Sequence, residues 1–379
     1  MTPNLLSYRD EFPVLADKVF LGSHTLAPLS RRARAAVDRF MDTWQSKASA
    51  ELVWFEDVIP EMRRVEACFA RLINADPGEV ALTPSVSAAL SSLASCFDFS
   101  ARDEVVISRQ EFPTDCHAWL AQQRRGARVV WADGKDERAY AAALGPRTAV
   151  VSASRVSYLD GSLLDPDALA ASCRDAGAFC VLDDYHGSGV VPLDVHAVGA
   201  EALVSGPLKY LLGGPGVAFL YVRADVAPSL HPTVTGWFSQ RDFFAFDSSR
   251  LDWPDTSQRF ALGTPSPAAV YAAGAGLDMI LEVGVDAIRS RTLELSGLLI
   301  DALQSHGYRV RTPREPQRRG AVVSWEVDDS KRVLHDLLSR GVILDERHGC
   351  LRACPHFFNT EGDLDALLTA LGQAGGLRP

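Results

Sequence analysis

The stretch Ala202-Leu203-Val204-Ser205, followed by Gly206-Pro207-Leu208 and then Lys209-Tyr210-Leu211-Leu212-Gly213-Gly214-Pro215-Gly216, decides the fold. Four apolar or small residues in a row read as a buried strand. A second apolar run, residues 217–222, begins directly after the glycine turn. So tight a return is antiparallel, because a parallel crossover takes about a dozen residues or more. Upstream, short apolar runs at 105–108, 127–131, 149–154 and 179–183 alternate with helix-period segments at 85–96, 115–124 and 165–176. That alternation is the pattern of parallel strands wrapped by crossover helices. The expected fold class is therefore α/β, a mostly parallel sheet with one antiparallel strand.

Downstream the style changes. An apolar helix over 263–283 leads into amphipathic helices at 285–305 and 361–372, with strands at 321–326 and 342–344. This predicts a large domain over 20–275 and a smaller α+β C-terminal domain over 276–379, with residues 1–19 packing on the small one. A chain of 379 residues exceeds the usual ~100–150 of one domain. Its composition, 47% hydrophobic and 23% charged, allows a substantial core. A net charge of −10 argues against nucleic acid and anionic membranes, which need clustered cations. Seven scattered cysteines with no CxxC pair predict neither a disulfide framework nor a metal site. No apolar run approaches ~18 residues, so no membrane span is expected. Met1-Thr2-Pro3-Asn4 opens no basic-then-apolar leader, and a cytoplasmic location is expected.

Four pieces carry chemistry. Lys209 stands between apolar segments, where a lysine is unexpected without a partner. An aldehyde cofactor bound to its amine would explain it, against the ordinary alternative of a surface loop. Asp183 ends the run 179–183, at the sheet edge where ligands bind in open α/β folds. A carboxylate there can keep a pyridine nitrogen protonated, and His186 follows three residues on; a helix-capping Asp looks the same. Thr83-Pro84-Ser85-Val86-Ser87 offers hydroxyls and backbone N–H groups at a helix start, which suits phosphate as well as a plain N-cap. Phe112-Pro113-Thr114-Asp115 places an aromatic just after a strand, where it can stack on a planar ring or simply join the core.

In their order and spacing these pieces resemble the class V aminotransferase group of pyridoxal-phosphate enzymes, of fold type I, and kynureninases most closely. The resemblance runs from Phe20-Leu21-Gly22-Ser23-His24-Thr25 to Pro355-His356-Phe357-Phe358-Asn359-Thr360. It implies pyridoxal 5′-phosphate held as a Schiff base on Lys209, whose motif KYLxGGPG matches 209–216. It further implies Phe112 stacked on the cofactor ring, with Thr114, Asp115 and Ser154 as cofactor contacts. Asp183 then faces the pyridine nitrogen beside His186, and Ser85 and Val86 take the phosphate. Trp237 and Thr264 are implied to reach the phosphate of a neighbouring subunit, giving a homodimer with shared sites. Arg352 is implied to grip the α-carboxylate of a small amino-acid substrate, a task suited to a guanidinium fork, with His24 nearby. The implied catalytic residues are Lys209, Asp183 and His186, and the implied reaction is hydrolytic cleavage of a Cβ–Cγ bond.

The chain departs from the kynureninase pattern at three places. Leu208 replaces the tyrosine before the lysine, Ser239-Gln240 replace a histidine, and Ser23-His24-Thr25 replace Gly-Asn-Ser. These keep other class V reactions open: C–S or C–Se β-elimination, transamination or epimerisation, with a non-catalytic binding protein as a third alternative. Cys350 lies two residues before Arg352, the wrong place for the loop cysteine of a desulfurase.

Overall fold

The computed structural model describes residues 4–374. Its strands, in chain order, are β1 (Val19–Phe20), β2 (Val80–Thr83), β3 (Glu104–Ser108), β4 (Arg128–Ala132), β5 (Thr148–Ser154), β6 (Phe179–Asp183), β7 (Ala202–Ser205), β8 (Ala218–Val222), β9 (Val323–Glu326), β10 (Val342–Ile343), β11 (Asp345–Arg347) and β12 (Cys350–Ala353). Seven of them form one sheet in the order β2-β8-β7-β6-β5-β3-β4. Every pairing from β7 to β4 is parallel, and β8 runs antiparallel to both β7 and β2. The reversed strand therefore sits one place in from the sheet edge. Sequence reading placed it but missed its edge partner β2, four buried residues too few to show a period.

Crossover helices Val86–Ala94, Pro113–Leu120, Glu137–Ala143 and Pro166–Ala176 cover the sheet. Two expected helices are shorter than the sequence suggested. The one expected over 115–124 starts at Pro113 and gives way to a 3-10 turn at Ala121, ended by Gly126 in the left-handed region (φ 98°). The one expected from 263 begins only at Pro267, because prolines at 265 and 267 suit a helix start and not its interior. This helix, Pro267–Val283, packs against Arg31–Lys47 and Ile59–Ile73, neither of which was expected.

Helices Val285–Ser305, Ser330–Ser339 and Glu361–Gln373 build a second core against the antiparallel sheet β11-β12-β9. Leu295, Leu299, Trp325, Leu351 and Leu367 are fully buried there. This distinct cluster is the ground on which we propose the division into 20–275 and 276–379, with the boundary inside the helix Pro267–Val283, although Ile288, Val322, Phe357 and Phe358 join the core of the larger part. The N-terminal segment joins the second part. β1 pairs in parallel with β10, Gly22 bridges to Cys354, and Arg9 forms an ion pair of 2.8 Å with Asp363. Among the described residues, no single helix is long and apolar enough to cross a membrane.

Candidate active site

A cavity of about 390 Å³ opens at the carboxyl edge of the parallel strands. Lys209 reaches it from the loop after β7. That loop is tightly formed: Leu212 takes a left-handed conformation (φ 60°), and the helix Pro267–Val283 lies directly against it. A side chain at Gly276 of that helix would collide with the Leu211 carbonyl oxygen, so only glycine permits this approach.

The Lys209 Nζ is 2.7 Å from His186 Nε2 and 4.3 Å from the centre of the Tyr185 ring. No carboxylate among the described residues forms an ion pair with it. Burial pushes its pKa down to about 7, against the opposing charge of Asp183. The amine is thus a nucleophile near neutral pH. Burial, and then the charge of Lys209, hold His186 well below the usual histidine range. His186 is therefore neutral and Nε2 accepts from the lysine, while its Nδ1 is buried without a hydrogen-bond partner.

Asp183 closes β6 on the cavity wall, where it accepts from the Tyr185 N–H at 2.8 Å. Burial raises its pKa. Behind it lies Asp115, fully buried, neither of whose carboxyl oxygens finds a hydrogen-bond partner. Burial raises Asp115 well above the carboxylate range, and the charges of Asp183 and Glu111 push the same way. Glu111 is raised by burial too, and accepts from the hydroxyls of Tyr140 and Ser154. Sequence reading put Asp115 on the cofactor. The structure instead sets it one layer back, because it lies on the inward face of the helix Pro113–Leu120.

The remaining cofactor-side residues surround the same cavity. Ser85 caps the helix Val86–Ala94, accepting from the Ala88 N–H at 3.2 Å, and Ser85 and Val86 line the wall at that helix start. Thr114 lies 3.2 Å from Ser87, oxygen to oxygen. Phe112 presents a ring that is 44% exposed, edge-on to Tyr158, and Ser154 lies nearby on the wall. These residues fit pyridoxal phosphate. A buried lysine and a buried carboxyl cluster, neither in a direct ion pair among the described residues, and a helix start bearing Ser85 and Val86 match an aldehyde, a pyridinium and a phosphate respectively. Trp237 and Thr264 do not reach this cavity. Thr264 is exposed, and Trp237, 40% exposed, packs among Phe238, Phe243 and Phe246.

The opposite wall comes from the β11–β12 hairpin. Arg352 Nε donates to Asp345 Oδ1 at 2.9 Å, its Nη2 donates to Oδ2, and its Nη1 to the Tyr158 carbonyl. His24 Nε2 is 2.8 Å from Asp345 Oδ1. Burial pushes His24 down to about 4, so the neutral ring donates through Nε2–H. For Asp345, burial is outweighed by the hydrogen bonds from His24 and Arg352 and by the Arg352 charge, which hold it well below the usual carboxylate range. Arg347, also on the wall, lies 3.5 Å from the same carboxylate. Tyr185, Glu111, Asp345 and Arg347 were missed by sequence reading. A signal existed for two of them: His348-Gly349, both at positive φ, is a hairpin turn that sets 345 opposite 352.

Fold and site together define a pyridoxal-phosphate protein of fold type I. The Aminotransferase class-V family model matches residues 19–367. The chain belongs to this family, and its cofactor is pyridoxal 5′-phosphate. It is 30% identical over 359 residues to a protein of Bacillus subtilis (strain 168) named "Uncharacterized aminotransferase YcbU", covering 94% of each chain. It is 29% identical over 369 residues to the kynureninase of Pseudomonas fluorescens, covering 91% of this chain and 85% of that one. Among solved structures, a C-DES mutant with glycine covalently linked to its PLP cofactor superposes with a TM-score of 0.88 at 20% identity, covering 98% and 99% of the two chains. A cysteine desulfurase from Thermococcus onnurineus NA1 does so at 0.87 and 18% identity, covering 98% of each. At such identities these two report the fold alone.

Proposed function

We propose that this chain is an amino-acid lyase of kynureninase type, which cleaves a Cβ–Cγ bond by hydrolysis. The observation that carries the reading is the meeting of Lys209, Asp183 and Arg352 in one cavity, in a chain 29% identical to a kynureninase. Bound, the cofactor supplies an electron sink for negative charge developing at the substrate α-carbon. Asp183 holds the positive charge on the pyridine nitrogen that makes this sink effective. Lys209 anchors the cofactor and, once the substrate amine has displaced it, moves the α-proton; a pKa near 7 suits that work. His186 Nε2 accepts from the lysine and fixes its direction. Arg352 receives the α-carboxylate.

A second reading, elimination of a sulfur or selenium group or transamination, is favoured by Leu208, which brings no hydroxyl to the cavity wall where the sequence resemblance expects a tyrosine. The test is incubation of cofactor-loaded protein with kynurenine, 3-hydroxykynurenine and a panel of amino acids, followed by product mass. Alanine with the matching aromatic acid supports hydrolytic cleavage. Release of sulfide, selenide or a keto acid instead selects the second reading.

We further propose a homodimer with shared sites. Trp237, Phe246 and Phe55 expose aromatic surface, at 40%, 74% and 50%, beyond what one chain covers. Mixing Lys209→Ala protein with Thr264→Arg protein is expected to restore part of the activity through hybrid sites. A fully active monomer rules the arrangement out.

A further inference from the structure

The α-carboxylate role of Arg352 meets a difficulty, because the guanidinium is already engaged. Of its five N–H donors, Nε–H and one on Nη2 go to Asp345 and one on Nη1 goes to the Tyr158 carbonyl. That leaves one N–H on each terminal nitrogen. Asp345 serves other segments as well. It accepts from His24, just past the N-terminal strand Val19–Phe20, and it lies 3.5 Å from Arg347 on its own strand. One carboxylate thus ties the N-terminal segment and both strands of its own hairpin to one wall of the cavity. Nearby, the Ala27 N–H donates to the Leu208 carbonyl at 2.9 Å, so the His24 segment also abuts the residue before Lys209.

Resting on the reading of Arg352 given above, we infer that Asp345 is the positioning residue of the substrate carboxylate site. It fixes the side edge of the Arg352 fork, so that the two outer N–H groups receive the amino acid. The charges agree. Two guanidinium groups, one carboxylate and a neutral His24 leave a single positive charge, which one substrate carboxylate neutralises. The site accordingly favours an amino acid with one carboxylate and an uncharged side chain; a second carboxylate finds no cation left on this wall.

The test uses cofactor-loaded protein and two probes, L-alanine and propylamine, which share an amine and differ in the carboxylate. Each is titrated by the change in visible absorbance of the lysine-bound cofactor, in wild type, Asp345→Asn and Arg352→Lys. Asp345→Asn is expected to lower the affinity for alanine relative to propylamine by about tenfold or more, the scale of one charge-assisted hydrogen bond. Cofactor content should stay the same. Asp345→Glu, which keeps the charge and both acceptors, should regain part of the preference, and it replaces the asparagine variant if that one fails to fold. An unchanged alanine-to-propylamine ratio overturns the inference. So does tighter alanine binding, which would make Asp345 a competitor for the arginine. Equal losses for both probes with loss of cofactor would show a merely structural role and overturn it too. If Arg352→Lys also leaves the ratio unchanged, the carboxylate reading of Arg352 itself fails. If only Asp345→Asn does, the positioning role fails alone.

Discussion

The two walls of the cavity treat charge in opposite ways. On the sheet side, Glu111, Asp115 and Asp183 are buried within reach of one another's charge, and burial raises all three, Asp115 well above the carboxylate range. Lys209 faces a neutral histidine there in place of an acid. On the hairpin side, Asp345 is enclosed by His24, Arg352 and Arg347, and is held below that range. Like charges buried together are costly unless a counter-group arrives. The sheet side is therefore shaped around a group that the polypeptide does not supply. The hairpin side has its carboxylate already paired before any ligand comes, so little reordering is left for a binding event.

The contrast can be broken by substitution. Asp183→Asn removes the charge on the sheet side while keeping the shape. Turnover is expected to fall by roughly 10²–10³-fold, the scale of losing one electrostatic partner in a preorganised site. Cofactor should still attach to Lys209, as shown by its mass on the Lys209 peptide after borohydride reduction. Near-normal turnover would mean that the three carboxyl groups are a structural accident.

Arg352→Lys tests the other wall. A lysine cannot reproduce the planar fork, so amino-acid affinity should weaken by about 1.5–3 kcal/mol. The visible spectrum without substrate should not change. Loss of the cofactor in this variant would erase the distinction between the two walls.

The smallest effect concerns protein freed of cofactor. The Lys209 amine falls from 10.5 in the unfolded chain to about 7 in the fold. Between those values the unfolded state binds more protons, so stability rises with pH across the window. Below about 7 the cost of burying the charge is fully present and the contribution is flat. The slope from this one group is at most ~1.4 kcal/mol per pH unit. Lys209→Met should remove it and raise the melting temperature near neutral pH. Identical pH profiles of melting temperature in the two proteins would contradict an uncompensated amine.

Most of the sheet side was legible in the sequence, because its residues stand where strands end and helices start, and both ends leave local marks. Asp183 closes a run of buried residues, Ser85 precedes a helix and Lys209 precedes a glycine turn. Glu111 was not legible, although it adjoins Phe112. It follows Ser-Arg-Gln, which reads as a polar loop, and its partners Tyr140 and Ser154 come from 29 and 43 residues away. On the hairpin side Arg352 was found by its motif, yet its partner was not. Asp345 acquires a role only when the His348-Gly349 turn fixes the register, and when the N-terminal segment brings His24 across a separation of 321 residues. The expected contribution of Trp237 and Thr264 to a site could not emerge from one chain, since both lie outside its own cavity.

The glycine contact behind Lys209 gives this division a mutational side. The lysine loop is pressed against Gly276 so closely that a single methyl group would displace it, and Gly213 is equally confined by Ala273. Any substitution at either glycine is therefore expected to shift the loop that carries the anchor. The β11–β12 turn has no such restraint: a side chain at Gly349 would meet open space, and its cost would be confined to that residue's left-handed backbone. Substitutions in this short hairpin turn are therefore expected to leave the fold intact where substitutions behind the lysine loop are not.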